Sequence, residues 1–255
     1  MPKKTSHSPL LLLAVSTVLL TAGWLMAPFP VLIFLGLAPL FALADRSGPG
    51  SPILERMEFI LLALGTSWCA FAFFREESVV AALVGAILFT LAFVAHAWVW
   101  QTLGMRTGKI TIILFWLTLE YGFLKLFPEN GMFLADTLQL QDSWTRWTVH
   151  TGYLGSSLWI LLVNWCWYQT FLYDKSIHWG WLAAGILLWC GPVVYSYMLT
   201  ESPITRQDMI NLYRGYTTQA DVSYLAHGEF IVRTAAWLST LILLFTFVKS
   251  QTAKR

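Results

Sequence analysis

Long apolar stretches separated by short polar segments run along the whole chain. An α-helix needs roughly 20 mostly apolar residues to cross the hydrocarbon core of a bilayer, which is about 30 Å thick. Eight stretches approach that length. The pattern therefore predicts an all-α, polytopic transmembrane helical bundle of about eight helices with short loops, with spans near residues 9–23, 31–44, 57–74, 79–103, 110–127, 154–173, 179–198 and 230–248.

The first two predicted spans are short, and a proline-containing segment separates them. This segment is Ala27-Pro28-Phe29-Pro30. Proline lacks a backbone N–H and cannot continue a helix, so we expect a turn here.

The polar segment at residues 128–153 is long enough to hold structure of its own. It contains Trp144 and Trp147, which are three residues apart and would share one face of a helix. Such a face suits an amphipathic segment that lies in the head-group layer. An aromatic belt that only anchors the protein would use the same residues.

The segment at residues 199–228 carries a helix signature. Thr205 and Asp208 have the spacing of a capping box. After them, Met209, Ile210, Tyr213 and Tyr216 fall on one helical stripe, and Gly215 marks a stop. We expect a short amphipathic helix on the outer face of the bundle, with Tyr213 and Tyr216 at the membrane interface.

Composition agrees with a membrane protein. Hydrophobic residues make up 57% of the chain and charged residues 12%, whereas soluble domains contain roughly 45–50% apolar and about 25% charged residues. Residues 1–255 are therefore predicted to form a single integral membrane domain without a soluble domain. A net charge of +2 without a clustered basic face argues against a nucleic-acid partner.

The lysines and arginines are unevenly distributed between the two predicted sides. With eight spans and both termini inside, the inner side carries ten of them, namely Lys3, Lys4, Arg46, Arg56, Arg106, Lys109, Lys175, Lys249, Lys254 and Arg255. The outer side carries four, namely Arg75, Arg146, Arg206 and Arg214. Basic residues favour cytoplasmic loops, so this bias predicts that both termini are cytoplasmic.

Ionisable residues inside a span are costly and are functional candidates by default. Glu120, Lys125, Arg233 and His96 meet this criterion. Glu120 and Lys125 are about 140° apart around their helix and should find different partners. Glu120 is expected either to face a polar cavity that receives a lipid head group or an amine, or to hold the bundle together by a hydrogen bond. Arg233 is expected to pair with Glu229, four residues earlier.

We find no catalytic motif, no metal-ligand spacing and no cofactor signature. Cys69, Cys166 and Cys190 lie inside apolar runs without the spacing of a metal or redox pair. No nucleophile elbow, zinc-protease helix or phosphate-binding glycine loop is present. We therefore predict no catalytic residue, no bound metal and no cofactor.

Several stretches resemble the membrane half of apolipoprotein N-acyltransferase, and Bacteroidetes-type versions are the most similar. The most specific are Phe115–Tyr121 (FWLTLEY) and residues 144–164 (WTRWTVHTGYLGSSLWILLVN). Weaker similarity covers residues 30–40, 191–197 and 228–249. The resemblance thus extends over nearly the whole chain.

In that family, eight helices carry a nitrilase-like domain between the seventh and eighth helix. Its Glu-Lys-Cys triad moves an acyl chain from a phospholipid to the N-terminal cysteine of a lipoprotein. Here the interval is Leu199 to Gly228, a short periplasmic loop that is too small for such a domain. It contains no cysteine, and Glu201 stands there without a lysine.

The resemblance therefore transfers no catalytic residue. It does imply that Trp116, Glu120, Asn164 and Arg233 shape a lipid-accessible cavity. His150 stands where the family has a glutamate-like position, so that match is partial.

We expect a non-catalytic scaffold or accessory subunit of the bacterial inner membrane that binds phospholipid, lipoprotein or a partner protein. The alternative is a component of lipoprotein N-acylation that works with a separately encoded catalytic subunit. A small transporter is a third class, but it would predict paired broken helices and a polar stripe through several spans.

Overall fold

The computed structural model describes residues 8–26, 30–45, 57–74, 76, 78–104, 110–129, 131–174, 176–216 and 229–252. These residues form helices joined by turns, and no strand occurs among them. The all-α prediction is therefore confirmed.

The α-helices of the described residues are numbered here in chain order. They are α1 (Pro9–Leu25), α2 (Ile33–Gly36), α3 (Ala38–Asp45), α4 (Met57–Phe74), α5 (Val79–Leu103), α6 (Thr111–Leu126), α7 (Asp142–Thr145), α8 (Thr148–Thr151), α9 (Gly155–Trp167), α10 (Trp179–Met198), α11 (Arg206–Arg214) and α12 (Phe230–Thr252). Two 3₁₀ turns, Pro30–Leu32 and Leu134–Leu138, precede α2 and α7, and a π-helical turn, Tyr168–Leu172, extends α9.

Helices occupy all eight predicted spans, and the bounds of α4, α5 and α10 agree with the prediction. Among the described residues, four helices are long and apolar enough to cross a membrane, namely α4, α5, α10 and α12. Two shorter apolar helices, Pro9–Leu25 and Pro30–Asp45, lie before them. The membrane character of the chain is supported, and the count of eight spans stays a prediction.

The second predicted span is interrupted at Leu37 between α2 and α3. Asn164 of α9 compensates for the break, because its side-chain oxygen accepts hydrogen bonds from the backbone N–H groups of Leu37 (2.8 Å) and Ala38 (3.0 Å). Its Nδ2 donates to the Ile33 carbonyl at 2.9 Å. The amide of Asn164 is fully buried, so these bonds replace helix bonds that water could not supply.

The core is aromatic where α4, α5 and α6 meet. The Trp68 and Phe89 rings lie 5.2 Å apart, and the Phe89 and Trp116 rings lie 4.5 Å apart. Apolar burial gives little driving force between helices in a bilayer, so packing of this kind is a main source of bundle stability. The core thereby fixes α6, the helix that carries Glu120.

Helices α10 and α12 lie at the periphery of the bundle. In their most apolar windows, 11% of α10 and 22% of α12 is buried within the protein, compared with 44% of α4 and of α5. Their exposed faces are rich in large apolar side chains such as Trp237 and Leu187. Such faces suit contact with lipid chains.

The two long polar segments differ in how well they match the prediction. Residues 142–151 form two one-turn helices, α7 and α8, and not one amphipathic helix, because the chain turns at Arg146 and Trp147. In contrast, α11 begins at the predicted capping box of Thr205 and Asp208, and it ends at Gly215, whose φ of 73° is left-handed. Tyr216 lies beyond the helix end.

Some predictions fall on parts of the chain outside the described residues. These are the turn at Ala27–Phe29, most of the interval after Tyr216 (217–228), and many of the cations used for orientation, namely Lys3, Lys4, Arg46, Arg56, Arg75, Arg106, Lys109, Lys175, Lys254 and Arg255.

Candidate functional site

The segments 127–154 and 199–216 come together at one end of the bundle, which we call the loop end and which faces outward in the predicted topology. Glu120 lies below it on α6 and is fully buried. Its Oε1 accepts hydrogen bonds from Trp116 Nε1 (3.1 Å) and from the Leu134 backbone N–H (2.8 Å). Among the described residues, Oε2 has no partner of good geometry, although the Ser157 hydroxyl lies beside the carboxyl group. Glu120 thus ties α6 to the 3₁₀ turn Leu134–Leu138.

The same 3₁₀ turn is also anchored to α9. The Ala135 backbone N–H donates a 3.0 Å hydrogen bond to Ser157 Oγ, and that serine is fully buried. At the start of the turn, the Phe133 backbone N–H donates to Asp136 Oδ2 at 3.1 Å. Because α6 and α9 both hold the turn, the position of Asp136 is set by the core.

Asp136, Tyr153 and Arg206 form a largely buried polar group, which we call the Asp136 cluster. Arg206 Nη1 lies 3.1 Å from Asp136 Oδ2, and the two side chains are 17% and 10% exposed. The Tyr153 hydroxyl donates to the other carboxylate oxygen, Oδ1. Burial, and then the negative charge of Asp136, raises the pKa of Tyr153 well above its usual range, so the hydroxyl stays protonated and remains a donor.

Arg206 also joins the two loop-end segments to each other. Its Nε donates a 2.8 Å hydrogen bond to the Pro128 carbonyl, and its guanidinium carbon lies 5.1 Å from the centre of the Phe133 ring. Nearby, the Ile204 backbone N–H donates to Thr148 Oγ1 at 3.0 Å. The start of α11 is therefore held against the 128–148 region by ionic, π and backbone contacts.

A cavity of about 430 Å³ lies beside this cluster, between the 135–156 region and the start of α11. We call it the loop-end cavity. Its polar lining side chains include Gln139, Asp142, Thr145, Tyr153, Arg206 and Gln207. Its apolar lining consists of Ala135, Leu138, Pro203, Ile204 and Ile210. Mixed polar and apolar walls of this size are typical of small-molecule sites.

A second charged group lies at the edge of the loop end. We call it the rim group, and it consists of Lys125, Tyr213, Glu229 and Arg233. Glu229 is only 3% exposed; it pairs with Arg233 Nη2 at 2.5 Å and accepts a hydrogen bond from the Tyr213 hydroxyl. The predicted pairing four residues apart is confirmed. Lys125 Nζ lies 4.8 Å from the centre of the Tyr121 ring and 5.6 Å from that of Tyr213.

The remaining predicted site residues lie apart from the cavity lining. His150 is exposed, and its Nε2 lies 3.2 Å from the Tyr195 hydroxyl. The side-chain amide of Asn164 is hydrogen-bonded to the backbone at the α2–α3 break. The Trp147 ring packs against the Trp159 ring with centres 5.8 Å apart, and the Trp144 carbonyl accepts a 2.9 Å hydrogen bond from Ser196.

At the opposite end of the bundle, His96 is buried and its Nδ1 lies 2.7 Å from Thr111 Oγ1. Such a bond is what a structural histidine in a helix bundle makes. The three cysteines are all free thiols, and the described residues contain no cluster of His, Cys, Asp and Glu that could hold a metal ion.

Five of the predicted residues therefore gather in two places at the loop end. Trp116 and Glu120 support the floor of the loop end, and Lys125, Tyr213 and Arg233 meet at its rim. Sequence reasoning missed Asp136 and Tyr153 and used Arg206 only as one of the four cations of the outer side. The available signal was the helix start at Thr205, which places Arg206 at the first position of a surface helix.

Comparison of the chain with protein-family models, with curated proteins and with solved structures found no match.

Proposed function

We propose that the chain is a non-catalytic scaffold of the bacterial inner membrane that binds the polar part of a lipid or lipoprotein in the loop-end cavity. The observation that carries the proposal is the cavity itself, about 430 Å³ between two segments that the Asp136 cluster locks together. Sites of roughly 300–1,000 Å³ with few polar groups on a rigid frame are typical of ligand binding. The resemblance to the membrane half of apolipoprotein N-acyltransferase supports the class of ligand.

The chemistry of the cavity wall supports a binding role over a catalytic one. Neither cysteine nor histidine is among its described lining residues. Of the lining hydroxyl groups, Thr145 donates to the Gln141 carbonyl, Thr205 donates to Asp208 and Tyr153 donates to Asp136. The Ser156 hydroxyl makes no hydrogen bond to a base among the described residues. A hydroxyl nucleophile needs an adjacent base that accepts its proton and a third group that orients that base. The described wall does not assemble these three groups.

The proposed role of Glu120 is indirect. It holds the 3₁₀ turn that forms the cavity floor and does not line the cavity itself. Its loss should therefore lower ligand binding by loosening the floor. This role differs from a direct contact with the head group, and it still makes Glu120 important for function.

Lipid retention tests the proposal directly. Gln207 is exposed and lines the cavity, so Gln207→Trp should fill the space without removing a buried contact. Leu140 is 67% exposed and does not line it, which makes Leu140→Trp the matched control. We expect native mass spectrometry in mild detergent to show several-fold less bound lipid or lipoprotein with Gln207→Trp, and wild-type retention with Leu140→Trp. Equal retention in all three proteins would contradict the proposal.

One observation favours a second role, as the membrane subunit of a lipoprotein N-acylation complex. The apolar window of α10 is only 11% buried, which leaves a long apolar face that a partner subunit can cover in place of lipid chains. Incubation of the purified protein with phosphatidylethanolamine and a diacylated lipoprotein should give no N-acylated product. Product formed by this chain alone would overturn the scaffold proposal, and product formed only with a second purified subunit would support the complex.

A further inference from the structure

Most side chains on the cavity wall that can donate a hydrogen bond already donate one to an acceptor within the protein. Gln139 Nε2 donates to Asp136 at 2.5 Å, and the Tyr153 hydroxyl donates to the same carboxylate. Gln207 Nε2 donates to Asn211 at 3.1 Å. The Thr145 and Thr205 hydroxyls are committed as described above, so these three hydroxyls have no donor left for a ligand, and each glutamine amide keeps one of its two N–H groups.

Most of the charged and backbone donors of the wall are committed as well. Arg206 uses Nε and Nη1 on Pro128 and Asp136, whereas its remaining nitrogen, Nη2, is buried and has no hydrogen-bond partner among the described residues. The Ile204 backbone N–H donates to Thr148, and the Thr205 backbone N–H donates to Asp208 at 2.7 Å. Nη2 is thus the exception among these donors.

The wall also carries acceptors that no described residue uses. Asp142 lines the cavity, and its carboxylate makes no hydrogen bond or ion pair with any described residue. The side-chain oxygens of Gln139 and Gln207 accept no hydrogen bond from the described residues, and Ser156 adds a hydroxyl that can accept or donate. These open acceptors favour a ligand that brings its own N–H or O–H groups.

Charge selects further among such ligands. Arg206 neutralises Asp136, which leaves the carboxylate of Asp142 as the uncompensated charge among the described lining residues. An anionic ligand would be repelled by it, and a cationic ligand would be attracted. Hydrogen bonds to charged groups are stronger than neutral ones, so Asp142 is the natural partner of a cation.

We propose that the loop-end cavity binds a primary ammonium group, with Asp142 as its counter-ion and Gln139, Gln207 and Ser156 as further acceptors. The apolar wall, formed by residues such as Leu138 and Ile210, receives a short carbon chain attached to the nitrogen. This inference rests on the proposed function, because it names the ligand chemistry of the same cavity. The ammonium can belong to a free amine or to the aminoethyl head group of a lipid.

A pair of probes with the same charge and chain, one with three N–H groups and one with methyl groups in their place, tests the ligand chemistry. Butylammonium has three N–H donors, whereas butyltrimethylammonium carries the same charge and chain without any. In calorimetric titrations of the purified protein in mild detergent, we expect butylammonium to bind roughly 10- to 100-fold more tightly, because open acceptors reject a ligand without donors. Equal affinity for the two probes, or no binding of butylammonium, would overturn the inference.

A matched pair of variants tests the counter-ion. Asp142→Asn should weaken butylammonium binding by roughly 10- to 100-fold, because a charged hydrogen bond is lost. Glu201 is also an exposed carboxylate of the loop end, but it does not line the cavity, so Glu201→Gln should leave the affinity unchanged. The same loss of affinity in both variants would show that the attraction is non-specific and would contradict the assignment of Asp142.

Two further arms separate the sources of the ammonium and separate this inference from the proposed function. Soluble phosphoethanolamine and butylammonium report on free amines, and nanodiscs of phosphatidylethanolamine or phosphatidylcholine report on lipid head groups. Tighter retention of phosphatidylethanolamine, lost in Asp142→Asn, would identify the lipid source; amine binding without lipid preference would identify the free one. If Gln207→Trp abolishes lipid retention while Asp142→Asn and the amine probes have no effect, the cavity binds lipid and the ammonium assignment is wrong.

Discussion

The Asp136 cluster and the rim group both place arginine against a carboxylate at the loop end, and they differ in how exposed the arginine is. In the cluster the side chains of Arg206 and Asp136 are 17% and 10% exposed. In the rim group the Arg233 side chain is 52% exposed, and its partner Glu229 is 3% exposed. The cluster joins residues that are 70 positions apart in sequence. The rim pair joins residues four positions apart on one helical turn. The first pair holds two distant segments of the chain together, whereas the second pair lies on one helical turn at the exposed edge of the loop end.

This difference shows why charge alone is a poor guide to function in this chain. A buried pair is costly to break, because one partner remains as an uncompensated charge. In the rim pair water screens the half-exposed Arg233, and the buried Glu229 keeps the Tyr213 hydroxyl as a second partner, so the loss of the arginine should cost less. The residue best placed to bind a ligand is then neither of these, but Asp142, whose charge the described residues leave uncompensated beside the cavity.

The largest expected effect comes from breaking the cluster. Arg206→Ala should lower the free energy of unfolding by about 3–5 kcal/mol, because Asp136 stays buried without its cation. The control is Arg214→Ala, which removes an exposed pair whose side chains are 49% and 53% exposed, with an expected cost of about 0.5 kcal/mol. Reversible unfolding in detergent measures both. Equal losses would contradict the distinction between the buried and exposed pairs.

The next effect concerns the support below the cluster. Glu120→Ala should cost about 2–3 kcal/mol, because Trp116 Nε1 and the Leu134 N–H lose their acceptor inside the protein. Glu120→Gln keeps an oxygen at that place and should cost about 1 kcal/mol or less. The same unfolding experiment ranks the two variants. Equal losses for the two variants would show that the charge, and not the acceptor, matters.

The smallest effect belongs to the rim. Arg233→Ala should cost about 1 kcal/mol, because its side chain is half exposed and the Tyr213 hydroxyl still donates to Glu229. Lys125→Ala should cost about 0.5 kcal/mol, as expected for an exposed cation–π contact. A loss from Arg233→Ala as large as that from Arg206→Ala would mean that the rim is structural too.

The positions of the helices could be predicted from sequence because the apolar runs have clear ends. The bounds of α4, α5 and α10 agree with the predicted spans for this reason. The break at Leu37 could not be predicted, since it depends on an asparagine 127 residues away that satisfies the freed N–H. The π-helical turn Tyr168–Leu172 likewise has no signal in the hydrophobic pattern.

The site was only partly predictable. Glu120 and Arg233 stand out because an ionisable residue in an apolar run is rare. Asp136 and Arg206 lie in polar segments, where charged residues are common, and only the folded chain brings them together. The two tryptophans of the first long loop, Trp144 and Trp147, fall where the chain turns, so their spacing did not produce one helix.

The central claim, that the loop-end cavity is a ligand site open to the outer side of the membrane, is tested most directly by cysteine accessibility. Gln139 lines the cavity and its exposed neighbour Leu140 does not. After Cys69, Cys166 and Cys190 are replaced by serine, the Gln139→Cys and Leu140→Cys variants are labelled in intact cells with a maleimide that cannot cross the inner membrane. We predict that both label from outside and that butylammonium slows the labelling of Gln139→Cys alone. Labelling only after the membrane is permeabilised, or equal rates with and without the amine at both positions, would contradict the account.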